Sequence, residues 1–216
     1  LIGTWATEVL RQAAGTHAFF STASSFRAAL PPGDITVEQF YTAIPYKNLI
    51  TTAEMTGQQL AVLVALSVSK SGSDGFSQQS GVRYTLQDGK PVNIQVLQDP
   101  ANPAAGYAPL DPAATYRIGT TDFQAFVAGD YKDLFAGTQN LTKTDIDAHQ
   151  TLISAIQAGP ITASLDGRSG TAGPGAPSTL PTTGALSGDP LLPVVAGLGL
   201  LLAAAGLRRW TRLKAD

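Results

Sequence analysis

Apolar residues fall at helical spacing in four stretches of the chain and at strand spacing in several others. Trp5, Val9 and Ala13 recur every four residues, which predicts a helix over residues 4–14 ended by Gly15, and Ala18-Phe19-Phe20 then reads as a buried strand. Thr36-Val37-Glu38-Gln39 has capping-box spacing, with Val37, Phe40, Tyr41 and Ile44 on one face and Pro45 as the stop, so a second helix is expected. After an extended piece over residues 48–54, Thr56-Gly57-Gln58-Gln59 repeats the box and leads into Leu60, Leu63, Val64 and Ser67. This third helix is apolar on one side and therefore suited to packing on a sheet. Residues 82–86 and 92–96 alternate on either side of Gln87-Asp88-Gly89-Lys90, whose Asp-Gly step predicts a tight hairpin. Residues 116–120 read as another strand, and Asp145 is expected to cap a helix bearing Ile146, His149, Ile153 and Ile156 that stops at Gly159-Pro160. Helices and strands mix without a strict βαβ rhythm, which points to an α+β domain over residues 1–166, a mixed sheet covered by helices.

Beyond residue 158 the composition shifts to Gly, Pro, Ser, Thr and Ala. Residues 167–179 hold too little apolar surface to fold and are expected to be a disordered linker. Residues 180–216 then carry Leu180-Pro181-Thr182-Thr183-Gly184, an uncharged apolar run over 191–207 expected to be a hydrophobic helix, and a basic end with Arg208, Arg209, Arg212 and Lys214. The pentapeptide resembles the recognition motif of sortase substrates, and the basic end lies where the positive-inside rule places a membrane stop. At 1.5 Å per residue the run spans roughly 25 Å, the short end for a membrane helix and enough for a transient span. The resemblance implies that a sortase cuts after Thr183 and joins the chain to peptidoglycan. The expected location is the cell surface of a Gram-positive-type envelope, covalently wall-anchored. No export signal is visible from Leu1 onward, so a processed product or a piece of a longer secreted protein is expected.

The chain has 216 residues, 44% apolar and 14% charged, enough for one domain with a core plus an appendage. A net charge of −2, with basic residues scattered except at the C-terminus, argues against nucleic acid as a partner. The absence of cysteine excludes disulfides and thiolate metal sites. His17 and His149 stand alone on element edges with no partner at metal-ligand spacing, and each is expected at the surface or half-buried. No phosphate-loop spacing is present, and no nucleophile, base and orienting group form a recognisable arrangement.

Four strings occur in the order and spacing of a known family: residues 25–36 (Ser-Phe-Arg-Ala-Ala-Leu-Pro-Pro-Gly-Asp-Ile-Thr), Ile44-Pro45-Tyr46-Lys47-Asn48, Met55-Thr56-Gly57-Gln58-Gln59-Leu60 and Thr121-Asp122-Phe123. They resemble the C-terminal domain of 5'-nucleotidases. In that family a separate N-terminal metallophosphoesterase domain holds two divalent metal ions and hydrolyses the substrate, while the C-terminal domain grips the nucleotide. None of the metal-domain motifs is in this sequence. The resemblance therefore implies a nucleotide- or nucleoside-binding domain without a cofactor of its own and without catalytic residues, partnered by an upstream metal domain. It carries Arg27 over as a contact to phosphate or ribose oxygens, Tyr46 and Phe123 as rings stacking on the base, and Asp130 as a carboxylate accepting hydrogen bonds from the ligand. The family's Asn-Gly-Gly-Gly-Ile-Arg string reads Thr22-Ala23-Ser24-Ser25-Phe26-Arg27 here. Ser24 and Ser25 can donate hydrogen bonds where the family has bare glycine, and Ser25 joins the candidate binding residues. The Gly-Gly-Asp-Gly-Tyr turn reads Ala128-Gly129-Asp130-Tyr131, a departure that bears on where Asp130 points. The alternative function is a catalytically inactive surface binding module that keeps the fold.

Overall fold

The computed structural model describes residues 2–161 and 169–171. In chain order the elements are helix α1 (Ile2–Ala14), strand β1 (Ala18–Thr22), α2 (Val37–Ala43), β2 (Leu49–Thr56), α3 (Gly57–Ser69), β3 (Ser77–Ser80), β4 (Val82–Gln87) and β5 (Lys90–Leu97). There follow β6 (Tyr107–Pro109), β7 (Thr115–Thr121), α4 (Asp122–Phe126), α5 (Gly129–Ala136), β8 (Gln139–Asp147), α6 (Ala148–Ala158) and β9 (Ser169–Thr171). Both expected capping boxes form: Thr36 and Thr56 accept from the amides of Gln39 and Gln59, whose side chains accept from the cap amides in return. The hairpin forms as well, with Asp88 at φ 51° and Gly89 at φ 73°, the backbone signs a two-residue turn between twisted strands needs.

A mixed five-stranded sheet runs in the order β3-β1-β7-β2-β8, and β6-β5-β4-β9 make a second sheet of four strands. In the first, β1 lies parallel to β7 and antiparallel to β3, while β2 is antiparallel to both β7 and β8. Side chains alternate across the sheet, so Phe19 and Phe20 enter different cores. Ala18 and Phe20 join Ala53, Met55, Ile118, Leu60, Leu63, Val64 and Phe135, where α3, α5 and the β4-β5 hairpin pack. Phe19 joins Ile50, Leu10, Phe40, Ile44 and Leu152, beneath α1, α2 and α6. Every residue of β1 is buried because both faces are covered.

One expected boundary is corrected. Residues 139–147 form β8, and the cap of α6 is Asp147, whose side chain accepts from the Gln150 amide at 3.0 Å; Asp145 lies within the strand. β8 is an edge strand, mostly exposed and joined to β2 with register shifts, so its sequence lacks the apolar alternation of a half-buried strand. β3 also escapes the pattern: Ser77-Gln78-Gln79-Ser80 carries no apolar residue, yet Ser77 and Ser80 are buried, the Ser80 hydroxyl donating to the Thr7 carbonyl at 2.8 Å. The short helices α4 and α5 and strand β6 were likewise not expected. Within the expected linker, Ser169–Thr171 pairs in parallel with β4. The pentapeptide at 180–184, the apolar run and the basic end lie outside the described residues. Among the described residues no helix is long and apolar enough to cross a membrane.

Candidate functional site

β1 and β7 are parallel neighbours, so their carboxyl ends, Thr22 and Thr121, open at one edge of the sheet, where open α/β sheets offer ligand crevices. At the end of β7, the Thr121 hydroxyl accepts from the Gln124 amide and caps α4. That cap sets Phe123 in the first turn, where the residue is 39% exposed. At the end of β1 the chain makes a single 3-10 turn over Ala23–Ser25. The Ala23 and Ser24 amides donate to the Phe76 and Asp74 carbonyls at 2.6 and 3.1 Å, which ties the α3-β3 loop alongside. Between these segments and the α4-α5 junction lies a cavity of about 380 Å³, within the range of small-molecule sites. Thr22, Ser24, Lys70, Asp74 and Gly75 line it together with Phe123, Ala128, Gly129, Asp130 and Tyr131.

Buried polar contacts tie these segments together. The Gln124 side chain donates to the Ser77 hydroxyl at 2.6 Å, the Ser77 amide donates to the Ser67 hydroxyl at 3.0 Å, and the Tyr131 hydroxyl donates to the Gly75 carbonyl at 2.8 Å. Burial pushes the Tyr131 phenol above its usual pKa, so it stays a neutral donor. Two ion pairs flank the cavity: Arg27 Nη1 to Asp74 Oδ2 at 3.4 Å, and Lys70 Nζ to Asp130 Oδ2 at 2.7 Å. The hydrogen bond between the second pair holds the Asp130 carboxyl below its ordinary value and raises Lys70. A second depression of about 310 Å³, lined by Ala29, Pro31, Glu38, Gln39 and Thr42, brings one carboxylate and neither a ring nor a cation.

The expected site residues divide on this geometry. Phe123 and Asp130 meet at the cavity. Arg27 stands beside it and reaches it through Asp74, which lines the wall. Ser25 is buried with its hydroxyl 3.4 Å from that of Thr22, and it is Ser24 that faces the cavity. Tyr46 is 52% exposed on the loop before β2 and does not line the cavity. Its loop is moored nearby, for the Leu49 amide donates to Asp122 Oδ1, one residue from Phe123, at 3.1 Å. Sequence reasoning missed Lys70, Asp74 and Tyr131; the Ser/Gly-rich stretch 71–75 following a helix was the available signal. The histidines do not join the site. His17 is half-buried, its Nδ1 accepting from the Arg117 amide at 3.1 Å, while His149 is buried, contrary to the expected edge position. Among the described residues no group of three or more His, Asp or Glu is placed to hold a metal ion.

The fold is a mixed sheet covered by helices, with a cavity at the carboxyl ends of β1 and β7. Residues 1–136 match the model of the 5'-nucleotidase, C-terminal domain, and the chain belongs to that family. It is similar to the 5'-nucleotidase precursor of Thermus thermophilus, with a TM-score of 0.67 and 25% identity over 80% of this chain and 36% of that one. It is also similar to the trifunctional nucleotide phosphoesterase protein YfkN of Bacillus subtilis, 28% identical over 116 residues, which are 52% of this chain and 8% of that protein. The protein UshA of Escherichia coli is 29% identical over 109 residues, 50% of this chain and 18% of its own length. The chain thus spans less than a fifth of these two relatives.

Proposed function

We propose that this chain is the nucleotide-binding C-terminal domain of a cell-wall-anchored 5'-nucleotidase-type hydrolase acting in extracellular nucleotide catabolism. The observation that carries the reading is the convergence of Phe123 and Asp130 on one cavity at the carboxyl ends of parallel β1 and β7, in a chain of this family. Phe123 offers a ring face for the base and Asp130 accepts from ligand hydroxyls. Arg27, released from its long contact with Asp74, turns its guanidinium fork to phosphate or ribose oxygens. Tyr46, exposed on its moored loop, closes on the other side of the base. Hydrolysis belongs to an upstream metallophosphoesterase domain carrying divalent metal ions, and the residues described here take no part in it.

Calorimetric titration of the chain with adenosine, AMP and UDP-glucose tests the reading. Stacking on one aromatic ring is worth about 1–3 kcal/mol per base, so Phe123→Ala weakens binding by roughly 5- to 150-fold. Arg27→Ala weakens AMP more than adenosine. A folded chain that binds none of the three overturns the reading. That outcome favours the second one, a catalytically inactive surface module, which is supported by Ser25 filling the position of a family glycine and by both rim cations being already paired. The anchoring part rests on the spacing of Leu180-Pro181-Thr182-Thr183-Gly184 to the apolar run and basic end, read as a signal for a sortase and for linkage to peptidoglycan. Mass spectrometry of wall-digested material is expected to end the chain at Thr183, and a C-terminus beyond it refutes the linkage.

A further inference from the structure

Asp74 belongs to the loop between α3 and β3 and lines the cavity. Its backbone is pinned, for the Asp74 carbonyl accepts from the Ser24 amide at 3.1 Å and the loop lies against the end of β1. The carboxylate is 81% exposed and meets the Arg27 guanidinium, with Nη1 at 3.4 Å from Oδ2. Arg27 is anchored in turn, its amide donating to the Ala43 carbonyl at 2.8 Å. Two fixed backbones thus hold an anion and a cation side by side, and Arg27 meets the cavity through that anion. The cations at the rim are not held alike. Lys70 Nζ lies 2.7 Å from Asp130, whereas the Arg27 contact is longer and engages a single nitrogen instead of the paired fork that makes guanidinium-carboxylate pairs strong. Such a contact between exposed groups is weak, so a phosphate can displace it. The displacement still has a cost. A phosphate monoester carries between about −1.5 and −2 charges near neutral pH, and it must break the pair and then sit beside the freed carboxylate. A nucleoside, which is uncharged, meets no such penalty.

We propose that Asp74 is a specificity-determining residue of the cavity: it competes with a ligand's phosphate for the Arg27 guanidinium and so shifts selectivity from nucleoside monophosphates toward the nucleosides themselves. This rests on the nucleotide-binding reading above and adds to it the ligand group that the site discriminates against and the residue that does so.

The test is calorimetric titration of adenosine and AMP into the wild-type chain, Asp74→Asn, Arg27→Ala and the double variant Arg27→Ala/Asp74→Asn. Asp74→Asn keeps the shape of the side chain and removes its charge, and it raises the affinity for AMP relative to adenosine by about 3- to 10-fold. In the Arg27→Ala background the same substitution changes that ratio by less than about 2-fold, because no guanidinium is left to compete for. Plain repulsion between Asp74 and the phosphate predicts instead an equal gain with and without Arg27, and that result overturns the proposal. An exposed pair contributes little to folding, so none of these variants is expected to unfold. An Asp74→Asn chain that keeps the wild-type ratio also overturns the proposal and leaves nucleotide binding intact. If no chain binds either ligand, the nucleotide-binding reading itself is refuted and the proposal falls with it.

Discussion

Acidification should destabilise this protein through His149, and the structure sets the sign of the effect and bounds its size. The imidazole is 2% exposed and packs edge-to-face against Phe40 and Tyr41, with ring centroids 5.4 and 5.2 Å away. Neither ring nitrogen has a hydrogen-bond partner of good geometry. Burial lowers its pKa below the ordinary 6.5; Asp147 and the nearby backbone of Ile44 and Tyr46 pull upward and Lys47 pulls downward. Its place in the first turn of α6 adds the positive end of the helix dipole against a cation. The folded state therefore resists protonation, and the unfolded state takes up the proton first. Stability is fully present above the unfolded pKa and falls as pH drops through about 6.5, by at most about 1.4 kcal/mol per pH unit for this one group. The loss levels off once the folded state is protonated as well. His17, also lowered chiefly by burial, adds a similar but smaller term because it is half exposed. Urea unfolding at pH 7.5 and 5.5 measures the sum. A His149→Phe chain should lose up to about 1.4 kcal/mol less than the wild type between the two. Equal losses in variant and wild type would show that burial does not hold the His149 pKa below its unfolded value, and would refute the reasoning.

Three further outcomes follow from the fold. Asp147→Ala removes the cap of α6 and should cost about 1 kcal/mol in urea unfolding, whereas Asp145→Ala should change little, which separates the observed cap from the one the sequence suggested. Gly81→Ala places a methyl group at φ 76° against the His17 carbonyl between β3 and β4, and thermal melting should report a loss above about 2 kcal/mol. Gly89→Ala occupies open space at a similar φ of 73°, so its cost should stay near 1 kcal/mol, the backbone penalty alone.

Much of the fold was legible locally, and the reason is visible residue by residue. The boxes at Thr36 and Thr56 and the Asp88-Gly89 turn are interactions between residues at most three apart, so their spacing in sequence is their geometry in space. Helix α3 announced itself by apolar spacing because Leu60, Leu63, Val64 and Ser67 are the face it buries, whereas α1 buries Ala6, Leu10 and Ala14 and leaves Ala13 exposed, and α2 buries Phe40 and Ala43 and leaves Val37 and Tyr41 at the surface. β3 and β8 did not announce themselves. The first is polar and buried through bonds to distant partners, and the second is an edge strand with little apolar surface to cover. The same divide runs through the site. Resemblance singled out Phe123 and Asp130, which the structure brings to one cavity, and also Ser25, which it turns into the interior.

The sequence by itself determined which residues could serve as stacking ring, acceptor and cation, because those are properties of side-chain chemistry. Only the tertiary structure decided that Asp130 is gripped by Lys70 and that Arg27 is engaged by Asp74, pairs 60 and 47 residues apart. Only the tertiary structure, too, decided that His149 is buried against Phe40 and Tyr41. The physical reason is common to all three. Each depends on which elements the sheet order β3-β1-β7-β2-β8 brings side by side, and that order is set by the burial of two cores at once rather than by any local stretch of chain.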